Sequence, residues 1–185
     1  MDNKEKRLIF IFNATPLIHF GKSGLAWMIE KLNGEKYIPP TVYKEVVVTG
    51  KNKGFEDAPI IENLIHRKVI TIKEPKKDIL TLITKGQKDI HKGEAEVLAL
   101  AKELNAIAIV DDPVARKIAD IYNIKKEGSY TIIIRMLLKG QINKEEAKES
   151  IDKLIASGWR CDIDFYRHIL KLIEKSNQFV DYLQQ

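Results

Sequence analysis

Residues 7–20 read RLIFIFNATPLIHF, and residues 106–119 read AIAIVDDPVARKIA. Each stretch begins with a short apolar run typical of a buried strand and then passes through polar residues into a segment of helical character. Asn13 follows the first strand, and Asp111 and Asp112 follow the second. Because ligands bind at the carboxyl ends of parallel strands, where the strand order reverses, we expect the two strand ends to form one site.

Strands and helices alternate along the chain. The predicted strands are 8–12, 36–38, 69–72, 106–110 and 124–126. The predicted helices are 15–32 (interrupted near Gly21 and Gly24), 41–49, 58–66, 78–84, 94–104, 113–122, 129–139, 144–157 and 164–174. This alternation predicts an α/β fold in which helices cover both faces of a mostly parallel sheet. We expect one domain over residues 1–160 and a helical C-terminal extension over residues 161–185, packed on the same domain.

The composition is that of a globular protein, with 44% hydrophobic and 31% charged residues. No apolar run is long enough to span a membrane, and the first apolar stretch is too short for a signal peptide, so we expect a cytoplasmic protein. The net charge of +5 favours an anionic partner. The single cysteine, Cys161, cannot form an internal disulfide or a thiolate zinc site, and the four histidines lack metal-ligand spacing.

Two glutamates on predicted helices lie at or near apolar faces. In KGEAEVLALAKEL, residues 92–104, Glu94 falls within the apolar face, whereas Glu96 falls on the other side and is expected to face solvent. Glu45 lies at the edge of the apolar stripe of the helix over 41–49. A carboxylate on a buried face is unfavourable unless it is paired or bound to a metal. The alternative is that both carboxylates stay hydrated, Glu94 beside the helix dipole and Glu45 at the rim.

The arrangement of the acids is more informative than any one of them. Asp111 and Asp112 end a strand, although Asp112 before Pro113 can also be explained as a helix cap. With Glu45 and Glu94 they make a set of carboxylates without histidine or cysteine, and Mg²⁺ and Mn²⁺ prefer such hard oxygen ligands. These ions promote phosphodiester cleavage by activating water and neutralising the charge of the phosphate.

Two lysine-rich loops adjoin the helices that carry these acids. One contains Lys51 and Lys53, and the other, which leads into Glu94, contains Lys85, Lys88 and Lys92. Lysines that flank the acids would contact the phosphates of a nucleic acid, and the alternative is a solvated run of charge. No glycine-rich loop that could cradle a phosphate follows any predicted strand, which argues against a nucleotide-binding regulator.

The order of four motifs resembles the PIN domain family, and in particular its prokaryotic members with GEAE and DD motifs. The motifs are NATPLI (13–18), IPPTVYKEV (38–46), KGEAEVLALA (92–101) and IVDDPVARKIA (109–119), and the resemblance covers residues 8–160. It implies a PIN-like three-layer α/β/α sandwich with a mostly parallel central sheet. It also implies an Mg²⁺- or Mn²⁺-dependent ribonuclease. The family includes the toxins of toxin–antitoxin pairs, so the implied partners are RNA and a cognate antitoxin.

The resemblance also implies which residues form the metal site and the catalytic centre. The family's acids correspond, in chain order, to Asn13, Glu45, Glu94 and Asp112, with Asp111 adjacent, and its hydroxyl residue corresponds to Thr15. Asn13 departs from the pattern, because an amide oxygen can ligate a hard cation but brings no negative charge. Two functions are consistent with this departure: a metal-dependent ribonuclease weakened by Asn13, and a non-catalytic PIN-like module that binds RNA or a protein.

The last predicted helix carries one apolar stripe, formed by Phe165, Ile169, Leu172 and Ile173. One interpretation is that this stripe packs on the rest of the same chain. The other is that it forms the seam of a homodimer.

Overall fold

The computed structural model describes residues 8–87 and 89–176. The strands are β1 (Ile9–Phe12), β2 (Glu35–Ile38), β3 (Thr71–Ile72), β4 (Ile107–Ile109) and β5 (Lys126–Glu127). They form a five-stranded sheet in the order β3-β2-β1-β4-β5, and every pairing in it is parallel. The predicted α/β fold with a parallel sheet is confirmed. β3 and β5, the two edge strands, have two residues each, fewer than predicted.

The two central strands determine where the polar residues of the site begin. Phe10 of β1 pairs with Ile107 of β4, and Phe12 pairs with Ile109. The backbone N–H of Asn13 then donates to the carbonyl oxygen of Ile109 at 3.1 Å, which extends this pairing by one residue. The strand order reverses between β1 and β4, so their carboxyl ends border the switch point at which parallel sheets bind ligands.

Helices connect the strands, and each predicted helix is present with ends shifted by a few residues. They are α1 (Ala14–Lys22), α2 (Ala26–Lys31), α3 (Pro40–Tyr43, Lys44–Thr49 and Gly50–Asn52 in succession), α4 (Asp57–His66), α5 (Lys77–Thr84), α6 (Lys92–Leu104), α7 (Pro113–Ile121), α8 (Tyr130–Leu138), α9 (Lys144–Ala156) and α10 (Ile163–Glu174). The interruption expected near Gly21 and Gly24 separates α1 from α2.

Helix α3 differs from the regular helix predicted over 41–49. It begins as an α-helix over Pro40–Tyr43, widens to a π-helix over Lys44–Thr49 and returns to an α-helix over Gly50–Asn52. The predicted glycine- and lysine-rich loop therefore starts only after Asn52. A π-helical segment rotates the following side chains around the helix axis relative to an α-helix, and such segments are frequent at functional sites.

The chain forms two compact units. The first, which contains the sheet, is drawn from Met1–Ile18 and Asn33–Gly128, and the second is drawn from His19–Leu32 and Ser129–Gln185. No helix within residues 8–87 and 89–176 has the length and the apolar character needed to cross a membrane.

The apolar stripe of α10 packs within the second unit. Helix α10 contacts α8 and α9, and it buries Ile169 and Ile173 completely. The ring of Phe165 meets the ring of Tyr130 edge to face, with the ring centroids 5.2 Å apart. These contacts agree with the first interpretation of the stripe, in which it packs on the same chain.

Gly34, at the start of β2, is a position where we expect any side chain to destabilise the first unit. Its φ is +135°, and a Cβ there would lie 2.5 Å from the carbonyl oxygen of Leu8. We predict that Gly34→Ala lowers the free energy of unfolding by roughly 3 kcal/mol, through backbone strain and displacement of β1. Urea denaturation followed by circular dichroism would measure the loss.

Gly54 offers a matched control for this prediction. Its φ is +72°, and a Cβ there would meet no atom within 4 Å. Gly54→Ala therefore tests the left-handed backbone alone and should lower the free energy of unfolding by only about 1 kcal/mol. Equal losses for the two variants would show that the approach of Gly34 to Leu8 is unimportant.

Candidate functional site

Asn13 lies at the carboxyl end of β1, where the sheet passes into α1. Asn13 is only 5% exposed. The side-chain Oδ1 accepts the backbone N–H of Ala14 at 2.8 Å, so the amide oxygen is used locally at the start of α1. Thr15, two residues further on, is exposed on the first turn of the same helix. Asn13 thus directly precedes α1, at the position where the resemblance implies a metal ligand.

The two aspartates lie at the carboxyl end of β4, the strand that pairs with β1. Asp112 caps α7, since its Oδ1 accepts the backbone N–H of Ala115 at 2.9 Å and Pro113 occupies the first helical position. The explanation of Asp112 as a cap is therefore confirmed. Both Asp111 and Asp112 are half-buried. The sheet register brings these two carboxylates and Asn13 to the same edge of the sheet.

Glu94 lies in the first turn of α6 and is buried, with 9% of the residue exposed. The helical periodicity predicted this burial correctly. Its Oε2 accepts the backbone N–H of His91 at 3.1 Å, the reciprocal bond of a capping box, and this bond fixes the carboxylate at the N-terminus of the helix.

Glu45 is exposed on the π-helical segment of α3, and its carboxylate faces the first turn of α6. The evidence is the position of Gly93, where a Cβ would lie 3.7 Å from Oε2 of Glu45 and 3.6 Å from Cγ2 of Val42. The Glu45 carboxylate therefore lies close to Gly93, the residue that precedes Glu94 in the chain.

The environment of Glu94 combines burial with the charges of two other carboxylates. Burial raises the pKa of the Glu94 carboxyl group above its ordinary value, and the negative charges of Asp112 and Glu45 raise this pKa further. The hydrogen bond from His91 opposes the shift but does not cancel it. A buried carboxylate facing two like charges is an environment that a cation would stabilise.

The donor atoms of this site suit a hard divalent cation, but they are not gathered around one point. Carboxylate and amide oxygens are the ligands that Mg²⁺ and Mn²⁺ prefer. Within residues 8–87 and 89–176, however, no three acidic, histidine or cysteine side chains are close enough together to hold a metal ion. Glu45, Glu94 and Asp112 would have to approach one another more closely to coordinate one.

Glu96 does not face solvent, and the prediction for this residue was wrong. It is 6% exposed, and its two carboxylate oxygens accept hydrogen bonds from Thr41 at the start of α3. The periodicity of α6 placed Glu96 opposite the apolar face, but the whole run from Gly93 to Ala101 is buried. A helix covered on several sides has no solvent face for a polar residue to occupy.

The predicted RNA-binding lysines are in different environments. Lys51 pairs with Glu62 at 2.9 Å, and Lys53 lies 6.0 Å from the ring centroid of Phe55. Lys92, which is the first residue of α6 rather than part of a loop, lies 3.8 Å from Glu96. Lys85 is exposed at the end of α5. Lys88 lies outside the described residues.

Arg116, which was absent from the predicted site, adds a positive charge beside the aspartates. It lies one helical turn after Asp112, and its guanidinium donates to the carbonyl oxygen of Val110 at 3.0 Å. The sequence contains a signal for Arg116, because it follows Asp112 by four residues and residues i and i+4 share one face of a helix. A guanidinium here can also contact a phosphate.

A family model described as DUF3368, a PIN domain, matches residues 9–175. This span includes Asn13, Glu45, Glu94 and both aspartates, as well as all the strands. No curated protein matches the chain.

Proposed function

The chain belongs to the PIN domain family, whose members are generally nucleases that use divalent metals, and on that premise we propose that it is a metal-dependent ribonuclease. In this proposal Glu45, Glu94, Asp111 and Asp112 hold an Mg²⁺ or Mn²⁺ ion, and Asn13 lies at the edge of the metal site. The neutral amide of Asn13 weakens metal binding and turnover relative to an aspartate at the same position.

The observation that carries this proposal is the state of Glu94. Its carboxyl group is buried and close enough to Asp112 and Glu45 for both charges to raise its pKa. Glu45 lies on α3, Glu94 on α6 and Asp112 directly after β4, so carboxylates from three separate parts of the chain interact with one another. A divalent cation would relieve their mutual repulsion, and this favours a metal site over a purely structural role.

In this proposal the protein's own residues bind the metal ion and orient the RNA phosphate. A bound divalent cation supplies an activated water and neutralises the charge of the phosphate. Arg116 is placed to contact a phosphate at the end of β4. Burial raises the pKa of Glu94, and the charges of Asp112 and Glu45 raise it further, so a cation among these carboxylates would offset their mutual repulsion.

The direct test is an RNA-cleavage assay. A labelled single-stranded RNA would be incubated with the protein and Mn²⁺ or Mg²⁺, with EDTA as the blank. Cleavage that requires the metal would support the proposal, and RNA left intact under both metal conditions would contradict it.

A second function, a non-catalytic module that binds RNA or a protein, is supported by one specific observation. The Oδ1 atom of Asn13 accepts the N–H of Ala14, so the amide oxygen already has a partner. A domain that retained the fold and used Asn13 only as a cap would bind without cutting. RNA binding that persists in EDTA, without cleavage in Mn²⁺, would favour this function.

The predicted RNA-binding lysines of the first unit should make RNA binding dependent on salt. We predict that the triple variant Lys53→Ala, Lys85→Ala, Lys92→Ala weakens binding to single-stranded RNA. It should also reduce the slope of log affinity against log salt by about 2, since each phosphate contact to a single strand contributes roughly 0.7. Fluorescence anisotropy at several salt concentrations, in EDTA, would measure the slope.

A second triple variant provides the control for charge alone. Lys139, Lys153 and Lys171 belong to the second unit and are all exposed. Replacing these three by alanine changes the net charge by the same amount. If both triple variants lose the same affinity and slope, the lysines of the first unit have no specific part in RNA binding.

A further inference from the structure

Helix α3, which carries Glu45, begins without a capping side chain of its own. Pro39 precedes the helix and Pro40 is its first residue, and neither has a side chain that can accept a hydrogen bond. The first backbone N–H groups of a helix have no partner within the helix. Because proline has no N–H, Thr41 carries the first such group in α3.

Glu96 of α6 supplies the missing cap from a distance of 55 residues along the chain. Its Oε2 accepts the backbone N–H of Thr41 at 3.1 Å, and its Oε1 accepts the hydroxyl of Thr41 at 2.7 Å. Both carboxylate oxygens thus bond to one residue at the start of α3, and both hydrogen bonds are partly buried. The ammonium of Lys92, 3.8 Å away, is on a largely exposed side chain and adds little.

We propose that Glu96 is a positioning residue, which anchors the start of α3 and thereby places the Glu45 carboxylate beside Glu94. The two helices are close together along this path. Glu96 holds Thr41, and a Cβ on the neighbouring Gly93 would be within 3.7 Å of Thr41, Val42 and the Glu45 carboxylate. Glu94 and Glu96 therefore have separate tasks on one helix: Glu94 faces the acidic site, and Glu96 fixes the helix that brings the other acid to it.

The widened turn of α3 makes this anchor important for Glu45. Glu45 lies in the π-helical segment, which begins immediately after the short α-helical start at Pro40–Tyr43. The direction of Glu45 thus depends on where these first four residues are held. Glu96 holds them at Thr41, one turn before Glu45.

The test measures amide hydrogen exchange of residues 41–45 by NMR in metal-free protein, and Mn²⁺ affinity by calorimetry. We expect Glu96→Ala to accelerate exchange of these amides roughly tenfold, because it removes the cap. Glu96→Gln keeps one acceptor oxygen and should give a smaller acceleration. If Glu96→Ala does not fold, the comparison of Glu96→Gln with the wild type answers the same question.

Glu103 is a matched control on the same helix. Its Oε2 accepts the backbone N–H of Lys76, at the start of α5, at 2.9 Å. Glu103→Ala removes the same kind of contact from a helix that carries none of the proposed ligands. It should accelerate exchange near Lys76 and leave residues 41–45 and the Mn²⁺ affinity unchanged.

The effect on metal binding rests on the proposed function, whereas the effect on α3 does not. Glu96→Ala should weaken Mn²⁺ binding roughly tenfold, and adding Glu45→Gln should weaken it no further, because Glu45 is already displaced. A general structural defect would instead add to the loss caused by Glu45→Gln.

Unchanged exchange at residues 41–45, or additive losses of affinity, would overturn the proposal. A wild type that binds no Mn²⁺ would contradict the proposed function, and the exchange data would still decide the role of Glu96.

Discussion

Glu94→Gln is expected to abolish Mn²⁺-dependent RNA cleavage and to stabilise the metal-free protein at the same time. The substitution keeps the size of the side chain and an oxygen that can accept the N–H of His91. It removes the buried negative charge that faces Asp112 and Glu45. We expect Mn²⁺ affinity and the cleavage rate each to fall at least ~100-fold, because a ligand charge close to the ion is lost.

The stability effect has a defined direction with pH. The pKa of Glu94 is raised in the folded protein from an ordinary value of 4.5. The folded state therefore binds the proton more tightly than the unfolded state does, and the wild type loses stability as the pH rises above 4.5 towards the folded pKa. Glutamine does not titrate. The two proteins should differ least below pH 4.5, and the advantage of the variant should grow towards neutral pH in thermal denaturation with EDTA.

Glu103→Gln controls for the loss of a carboxylate from the same helix. It should leave Mn²⁺ affinity and cleavage at the wild-type level. Equal Mn²⁺ affinity of the wild type and Glu94→Gln would show that Glu94 is not a ligand. A metal-free Glu94→Gln protein that is less stable than the wild type at neutral pH would contradict the account of its burial.

Asn13→Asp is expected to have the opposite effect on metal binding and cleavage. Aspartate keeps an oxygen to accept the N–H of Ala14 and caps a helix as well as asparagine does, so the fold should tolerate it. It adds a negative charge at the end of β1. At about 4 Å and an effective dielectric near 20, a unit charge interacts with another by roughly 4 kcal/mol, and desolvation offsets part of this energy. We expect Mn²⁺ to bind at least about tenfold more tightly and RNA cleavage to rise above the wild-type rate.

The added charge should also reduce the stability of the metal-free protein. Asn13 is buried, and an aspartate there would carry its charge in a site largely shielded from water. The melting temperature should fall in EDTA and recover with Mn²⁺, because a ligand that binds only the folded state stabilises it. No gain in cleavage and no recovery with Mn²⁺ would show that Asn13 serves only as a cap.

Asn143 provides a matched control for the Asn13→Asp substitution. Its Oδ1 accepts the N–H of Glu146 at 2.9 Å, as the cap of α9 in the second unit. Asn143→Asp makes the same chemical change at a helix start and should alter neither Mn²⁺ affinity nor cleavage. A similar gain in both variants would mean that the added charge acts without regard to position.

The parts of the structure that depend on local pattern could be predicted from the sequence. The apolar runs before Asn13 and Asp111 predicted β1 and β4, and parallel pairing then placed both strand ends at one edge. The burial of Glu94 followed from its position among the apolar residues of α6. In both cases, the residues that determine the result are close together in the chain.

The parts that depend on distant packing could not be predicted in this way. Glu96 was placed on the wrong side because the periodicity of α6 contains no information about α3, which covers it. The π-helical turn around Glu45 also left no clear sequence signal, since its residues are compatible with a regular helix. The distances among Glu45, Glu94 and Asp112 depend on the contact between α3 and Glu96 and on the π-helical turn. The resemblance therefore implied which acids form the site but not how far apart they lie.

The parallel arrangement of the sheet has a consequence for how the chain folds. Parallel strands cannot form local hairpins, and the pairing of Phe10 with Ile107 joins residues 97 positions apart. Closing so long a segment must precede most of the contacts that stabilise it, which places this topology among the slower-folding ones. The residues after β1 and β4 meet only when that closure is complete. The acidic edge is therefore a late product of folding, and its acids are far apart in any intermediate that lacks the central pair of strands.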